Sequence, residues 1–375
     1  MMSIQIWATD AGLAYICLGG FVVAFSMVSV FTRNLLYLNE VVLSTAFGVI
    51  VGPYVAGVFD PRSWMKNADI ITLEVTRIVL AITLFSIGVE LPRSYTIDRA
   101  KCLLLIIVPT MIVGWLIVGG LIKALFPMLN FLSCLTIASC LTPTDPIMCA
   151  AIVGSEFAKV YIPVHLRQLI LAESALNDGL AYLFLSFSIY MAVDGPSKTD
   201  IGSWVLIGGL YQIILGLLIG AMTGFIFSRL MKFSHKKGLV DRESYVIQYL
   251  ATAIFIAGFV GTIGSDDLLA AFAAGSTISW DGHYNSHLEG DLLPSVINMV
   301  LKCSYFIYVG AWIPFESFNV PSLGISTWRL VTLCACLLVL RRIPIIMMLY
   351  KWIPEISTWK EALFTGHFGA RISWV

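Results

Sequence analysis

Leu141-Thr142-Pro143-Thr144-Asp145-Pro146 lies in the middle of a long apolar segment. Two prolines three residues apart remove two backbone donors and clash with the preceding turn, so a helix cannot run straight through them. Asp145 sits at that break. If the segment crosses a bilayer, a costly carboxylate coincides with unpaired backbone groups, which is tolerable only beside a cavity or an ion. The rest of the chain reads as a frame that holds Asp145.

The frame is a membrane one. Of 375 residues, 58% are hydrophobic and 12% charged, and the mean hydropathy is +0.88. Soluble domains carry charge on about a quarter of their residues, so the chain reads as an all-α polytopic membrane protein. Basic and acidic residues balance at 23 each, which gives no net attraction for nucleic acid. The eight cysteines fall mostly in apolar runs without metal-ligand spacing and read as small buried hydrophobes, and no cofactor is implied. Residues 1–10 have no basic leader region, which speaks against a cleaved signal peptide.

With about twenty apolar residues per crossing, spans are expected near 11–31, 35–56, 69–90, 101–126, 131–154, 168–193, 203–228, 244–264, 266–281, 293–316 and 327–350. Glu40 interrupts the second, and the ninth is short. No linker or soluble segment separates them, so residues 1–375 are expected to form a single transmembrane domain. Loops after odd-numbered spans carry thirteen basic residues: Arg33; Arg93, Arg99 and Lys101; Lys159 and Arg167; Arg229, Lys232, Lys236, Lys237 and Arg242; Lys351 and Lys360. Those after even-numbered spans carry three, Arg62, Lys66 and Lys198. The odd side is therefore expected in the cytoplasm and the N-terminus outside. The Arg229–Arg242 loop fits either a topology determinant or a dock for anionic lipid.

Charges inside spans carry the chemistry, since each costs about 2.5–3.5 kcal/mol at the bilayer centre. They are Glu40, Glu74, Arg77, Asp145, Glu173, Asp178, Asp266, Asp267, Lys302, Arg341 and Arg342. In Glu173-Ser174-Ala175-Leu176-Asn177-Asp178-Gly179, the pairs Glu173/Asn177 and Ser174/Asp178 are four apart and form a polar face on an apolar helix. Carboxylate, amide and hydroxyl oxygens suit small hard cations. Ser174 and Asn177 fit interhelical hydrogen bonding equally well. Two carboxylates in neighbouring spans, Asp145 and Asp178, repel unless a cation or a proton sits between them, so one pair of oxygens can exchange one for the other. One pH unit equals 1.36 kcal/mol, so a gradient of about one unit drives roughly tenfold cation movement at one-for-one exchange. Glu173 is the expected partner of Arg341 or Arg342, and Glu74 and Arg77 can neutralise each other locally. Asp266 or Asp267 fits a helix cap, with a direct cation role as the alternative.

The chain resembles the fungal plasma-membrane sodium/proton antiporters of the monovalent cation:proton antiporter superfamily. The motifs are Thr-Leu-Glu-Val-Thr-Arg-Ile-Val-Leu (72–80), Val-Glu-Leu-Pro (89–92), Thr-Asp-Pro (144–146), Glu-Ser-Ala-Leu-Asn-Asp-Gly (173–179), Asp-Asp-Leu-Leu (266–269), Arg-Arg-Ile-Pro (341–344) and Trp-Lys-Glu-Ala-Leu-Phe (359–364). The resemblance implies an inverted-repeat fold of about thirteen helices, eleven of them present, with discontinuous helices and elevator-like alternating access, usually as a homodimer. It implies Na+ and Li+, and in some members K+, exchanged for H+ at Asp145 and Asp178. Thr144 and Ser174 would be auxiliary ligands, Asn177 and Glu74 would sit close by, and Glu173 would pair with Arg341. Lys302 replaces a small polar residue. After Gly366-His367-Phe368-Gly369 the family continues with Pro-Ile-Gly and two more helices, whereas this chain reads Ala370-Arg371-Ile372-Ser373-Trp374-Val375. That divergent tail implies a C-terminally truncated form lacking the mate of the broken helix at Asp145. It leaves open a transport-inactive fragment that only assembles with a full-length partner. An intramembrane aspartyl protease is disfavoured, because one of its aspartates needs a Gly-x-Gly-Asp setting.

Overall fold

The computed structural model describes residues 9–34, 39–64, 67–193, 202, 204–280, 282, 284 and 293–368. Lys66, Lys198 and the divergent tail 370–375 lie outside them. Every expected apolar segment contains helix: α1 Asp10–Asn34, α2 Glu40–Val51, α3 Ala68–Glu90, α4 Ala100–Leu125, α5 Phe131–Leu141, α6 Pro146–Val153, α7 Val164–Val193, α8 Leu215–Lys236, α9 Arg242–Ile263, α10 Asp267–Ile278, α11 Leu293–Trp312, α12 Thr327–Leu340 and α13 Ile343–Leu349. A further helix, α14, runs over Trp359–Phe368. Nine of the described segments are long and apolar enough to cross a membrane, with α5–α6 and α12–α13 each counted as one broken span. The second and ninth segments, α2 and α10, have 12 residues each. Glu40 does not interrupt α2 but opens it, in the dipole-favoured first turn behind the Asn39 cap.

The chain divides into two compact units, Met1–Val79 with Leu292–Ser317, and Leu80–Asp291 with Phe318–Val375. The boundary falls within α3. In the first unit, α2 packs along α11, around Ala14, Cys17, Phe59, Ile307 and Ala311. Arg62 donates to the Trp312 carbonyl, and Thr72 and Tyr308 share a 2.6 Å hydroxyl bond. Glu74 pairs with Arg77 at 3.0 Å, both half-exposed, as the three-residue spacing predicted. Lys302 is half-buried on α11 in this unit.

The second unit holds the larger core, in which Leu84, Ile87, Leu103, Ile106, Leu169, Ala172 and Phe272 are buried together. α10 packs closely along α8. A Cβ on Gly220 would overlap the backbone of Ala270, so only glycine permits this approach. Ahead of α8, Val205–Ile214 winds as a π-helix. Its widened turn turns two carbonyls outward: Ser265 Oγ donates to those of Tyr211 and Gln212, both at 2.9 Å. The Asp266 N–H also reaches Gln212 O at 3.2 Å. The strain of a π-turn is thus compensated by side-chain and loop donors beside Asp266. α14 opens with a capping box: Glu361 accepts from Ser357 N and Thr358 N, and Thr358 Oγ1 accepts from Glu361 N. Five cysteines are buried, while Cys140 is exposed and Cys334 and Cys336 are intermediate; all eight are free thiols.

Candidate cation site

The break expected at Pro143 and Pro146 is present. α5 ends at Leu141 and α6 begins at Pro146, with Asp145 as its N-cap accepting from Ile147 N at 2.9 Å. Proline at the first helical position loses no bond there, which is why the chain can restart at once.

The backbone groups freed by the break are met by side chains of the facing helix α7. Thr144 N donates to Asn177 Oδ1 at 3.3 Å, Asn177 Nδ2 donates to Thr144 Oγ1 at 2.7 Å, and Ser174 Oγ donates to Thr144 O at 3.1 Å. Thr144, Ser174 and Asn177 are all at most 2% exposed. The expected polar side of α7 thus presents Ser174 and Asn177 to the break. Asn177 clamps Thr144 through both ends of its amide, which fixes the orientation of that amide.

The carboxylates differ from this buried cluster. Asp178 has Asp145 and Asp266 as its charged neighbours, and all three are only half-buried. Asp266 caps α10 through Oδ1, accepting from Leu269 N at 2.8 Å. Its other oxygen faces α7: a Cβ on Gly179 would stand 3.0 Å from Asp266 Oδ2. Asp266 thus takes the capping role, one of the two roles the sequence offered, and does so beside Asp178. Asp267 is buried and turns instead toward Gly261 of α9. Cys149 lies beside Ser174, with Asp145 and Glu173 also near. It was missed in the sequence, although its place one turn after Asp145 puts both on one helix face.

The ion pair at Glu173 requires a correction. Arg342 pairs with it, with side chains 5% and 1% exposed, where the resemblance implied Arg341. Arg341 Nη1 donates to the carbonyls of Leu141 and Pro143, at the end of α5. The reason is a second interruption: α12 ends at Leu340 and α13 begins at Ile343, with Pro344 in its first turn. The two arginines lie between these helices, so a regular helix does not set the angle between them. The resemblance implied that a second broken helix is missing; an interrupted span, α12–α13, is nevertheless present in the same unit, and its Arg341 reaches the carbonyls at the end of α5. Glu74 belongs to the first unit, where Arg77 is its partner. Among the described residues no group of three or more metal-ligating side chains forms a metal cage.

Two ionisable groups of this unit lie outside the spans. Burial pushes the Tyr284 phenol above its ordinary value, with Tyr249 and Tyr245 adding to it. Hydrogen bonds from Ser244 hold the exposed Asp241 carboxyl below its ordinary value.

A family model described as sodium/hydrogen exchanger, transmembrane, matches residues 21–374. A probable Na(+)/H(+) antiporter of Schizosaccharomyces pombe is 42% identical over 97% of this chain and 48% of its own length. A Na(+)/H(+) antiporter of Saccharomyces cerevisiae is 41% identical over 97% of this chain and 37% of its own length. This chain thus spans about half the length, or less, of these relatives. The fold is similar to that of the sodium proton antiporter MjNhaP1 from Methanocaldococcus jannaschii, with a TM-score of 0.68 at 16% identity over 96% of this chain and 85% of that one. The chain belongs to the transmembrane sodium/hydrogen exchanger family.

Proposed function

We propose that the chain is a secondary active transporter that exchanges monovalent cations, Na+ and Li+ and also K+, for protons by alternating access. The observation that carries this reading is the contrast within the site. The hydrogen-bonded scaffold of Thr144, Ser174 and Asn177 is buried, whereas Asp145, Asp178 and Asp266 are only half-buried, with Asp145 and Asp266 the charged neighbours of Asp178. A fixed scaffold beside reachable carboxylates lets a cation and a proton compete for the same oxygens. Asp145 and Asp178 carry the ion, Thr144 and Ser174 assist, and Asn177 holds the geometry. Asp266 adds a third carboxylate. Glu173 and Arg342 pin α7 to the second interruption.

The relatives' printed names as Na(+)/H(+) antiporters support the substrates. The loop charge bias supports an N-terminus outside, and the sequence motifs' resemblance to fungal plasma-membrane antiporters is what suggests the plasma membrane and a homodimer as the working setting. Cells without their own sodium exporters, expressing the chain or its Asp178→Asn variant at equal levels, test the reading. Na+ and Li+ tolerance is expected from the native chain alone, and equal tolerance from both removes Asp178 from the site.

A further inference from the structure

A cavity of about 360 Å3 opens in the second unit where the chain leaves α3 and enters α4 and α7. The connection between α3 and α4 contributes Arg93, Tyr95, Asp98 and Arg99 to it, the start of α7 contributes His165 and Gln168, and the segment after α13 contributes Glu355. Burial sorts these groups. The Glu355 side chain is 5% exposed and Tyr95 8%, whereas Arg93, Asp98, Arg99 and His165 are exposed around them and Gln168 is half-buried. Arg99 Nη1 donates to Glu355 Oε1 at 2.6 Å. Glu355 Oε2 and the Tyr95 hydroxyl, by contrast, are buried with no N–H or O–H partner. The Cys102 thiol beside Glu355 is a weak donor. A buried carboxylate oxygen left in this way is costly and calls for an explanation.

The chemistry of the lining defines what would satisfy it. Two inner oxygens can accept, and one of them is anionic, so the inner end suits an ammonium. The guanidinium, imidazole and amide groups further out can donate, so the outer end suits an anion. The charges of Arg93 and Arg99 balance those of Asp98 and Glu355, which fits a zwitterion better than a net anion. We propose that this cavity binds the headgroup of an aminophospholipid, its primary ammonium donating to Glu355 Oε2 and Tyr95 Oη and its phosphate held by Arg93 and Arg99. The lining flanks the apolar spans Ala68–Glu90, Ala100–Leu125 and Val164–Ala192, and the ends of spans lie at the depth of lipid headgroups. Soluble ethanolamine phosphate carries the same chemistry, and the test separates the two sources. No residue of the proposed ion path lines the cavity, so the proposal stands apart from the antiport reading.

The purified, delipidated protein is heated in detergent micelles doped with phosphatidylethanolamine, its N-methyl and N,N-dimethyl derivatives, or phosphatidylcholine, at matched acyl chains. Methylation removes N–H donors stepwise and keeps the charge and the phosphate. Half-maximal thermal stabilisation is expected at an about tenfold lower mole fraction of phosphatidylethanolamine than of phosphatidylcholine, the worth of one hydrogen bond to a charged group, with the derivatives in between. Glu355→Gln should abolish this preference; it strands no buried charge, because the Arg99 side chain is 52% exposed. Arg93→Ala, on the exposed rim, should weaken the response to both lipids alike, since both carry phosphate. Equal responses of the native protein along the methylation series overturn the proposal, and this arm needs no variant to fold. A native preference in a folded Glu355→Gln variant overturns it as well. Stabilisation by soluble ethanolamine phosphate as strong as that by the lipid would overturn the assignment to lipid.

Discussion

Replacing Arg342 by methionine leaves Glu173 as an uncompensated carboxylate in a setting where it is 1% exposed. Stranding one member of a buried pair costs about 3–5 kcal/mol, while replacing both by apolar residues of similar volume is often close to neutral. Arg342→Met and Glu173→Met should therefore each destabilise by about 3–5 kcal/mol, and the double variant by far less, for a coupling of roughly 3 kcal/mol or more. The same cycle with Arg341→Met should give a smaller coupling than with Arg342→Met, because Arg341 bonds the Leu141 and Pro143 carbonyls while Arg342 makes the ion pair. Equilibrium unfolding of the purified protein in mixed micelles, with SDS as denaturant, supplies the six free energies. Strong coupling of Glu173 to Arg341, with additivity at Arg342, would refute the assignment of the ion pair.

Other perturbations probe separate parts of the structure. Gly220→Leu forces a side chain into the Ala270 backbone; overpacking ordinarily costs about 1–3 kcal/mol, and a backbone obstacle should exceed that, seen as loss of monodisperse protein in detergent. Asn177→Ala orphans the Thr144 N–H and hydroxyl, both buried, and should cost about 2–4 kcal/mol of stability in the same SDS titration, with Asn177→Asp retaining only the acceptor half. Tyr284 donates to Tyr245 O at 2.9 Å, and its phenol is raised above the ordinary value. A raised folded-state value means its contribution is whole below the unfolded value of about 10 and is lost as pH climbs through the folded one. Alkaline unfolding should therefore steepen above pH about 10, and Tyr284→Phe should remove that part of the slope; an identical pH profile would contradict this.

Much of the fold was legible because hydrophobic length and two prolines are local signals. The eleven apolar segments all contain helix, and Pro143 and Pro146 mark the break to the residue. The α7 stripes were legible too, since four-residue spacing alone puts Glu173 with Asn177 and Ser174 with Asp178 on one side. The roles of Arg341 and Arg342 were not. Adjacent residues on a continuous helix diverge by a fixed angle, but here both arginines lie between the end of α12 at Leu340 and the start of α13 at Ile343. Nor does sequence disclose the π-turn before α8, whose freed carbonyls find Ser265 more than fifty residues away. The pairing of Asp266 with Gly179 likewise depends on α7 and α10 meeting, which no local spacing records.

Asp145 and Asp178 are proposed to form one site where a cation and a proton exchange. The most direct measurement uses purified protein in vesicles loaded with a pH-sensitive dye, with an inward or outward Na+ gradient imposed. Proton movement opposite to Na+ is expected from the native chain, and none from Asp145→Asn or Asp178→Asn at equal incorporation. Na+-driven proton exchange that survives in either variant, or its absence from the native chain, would contradict it.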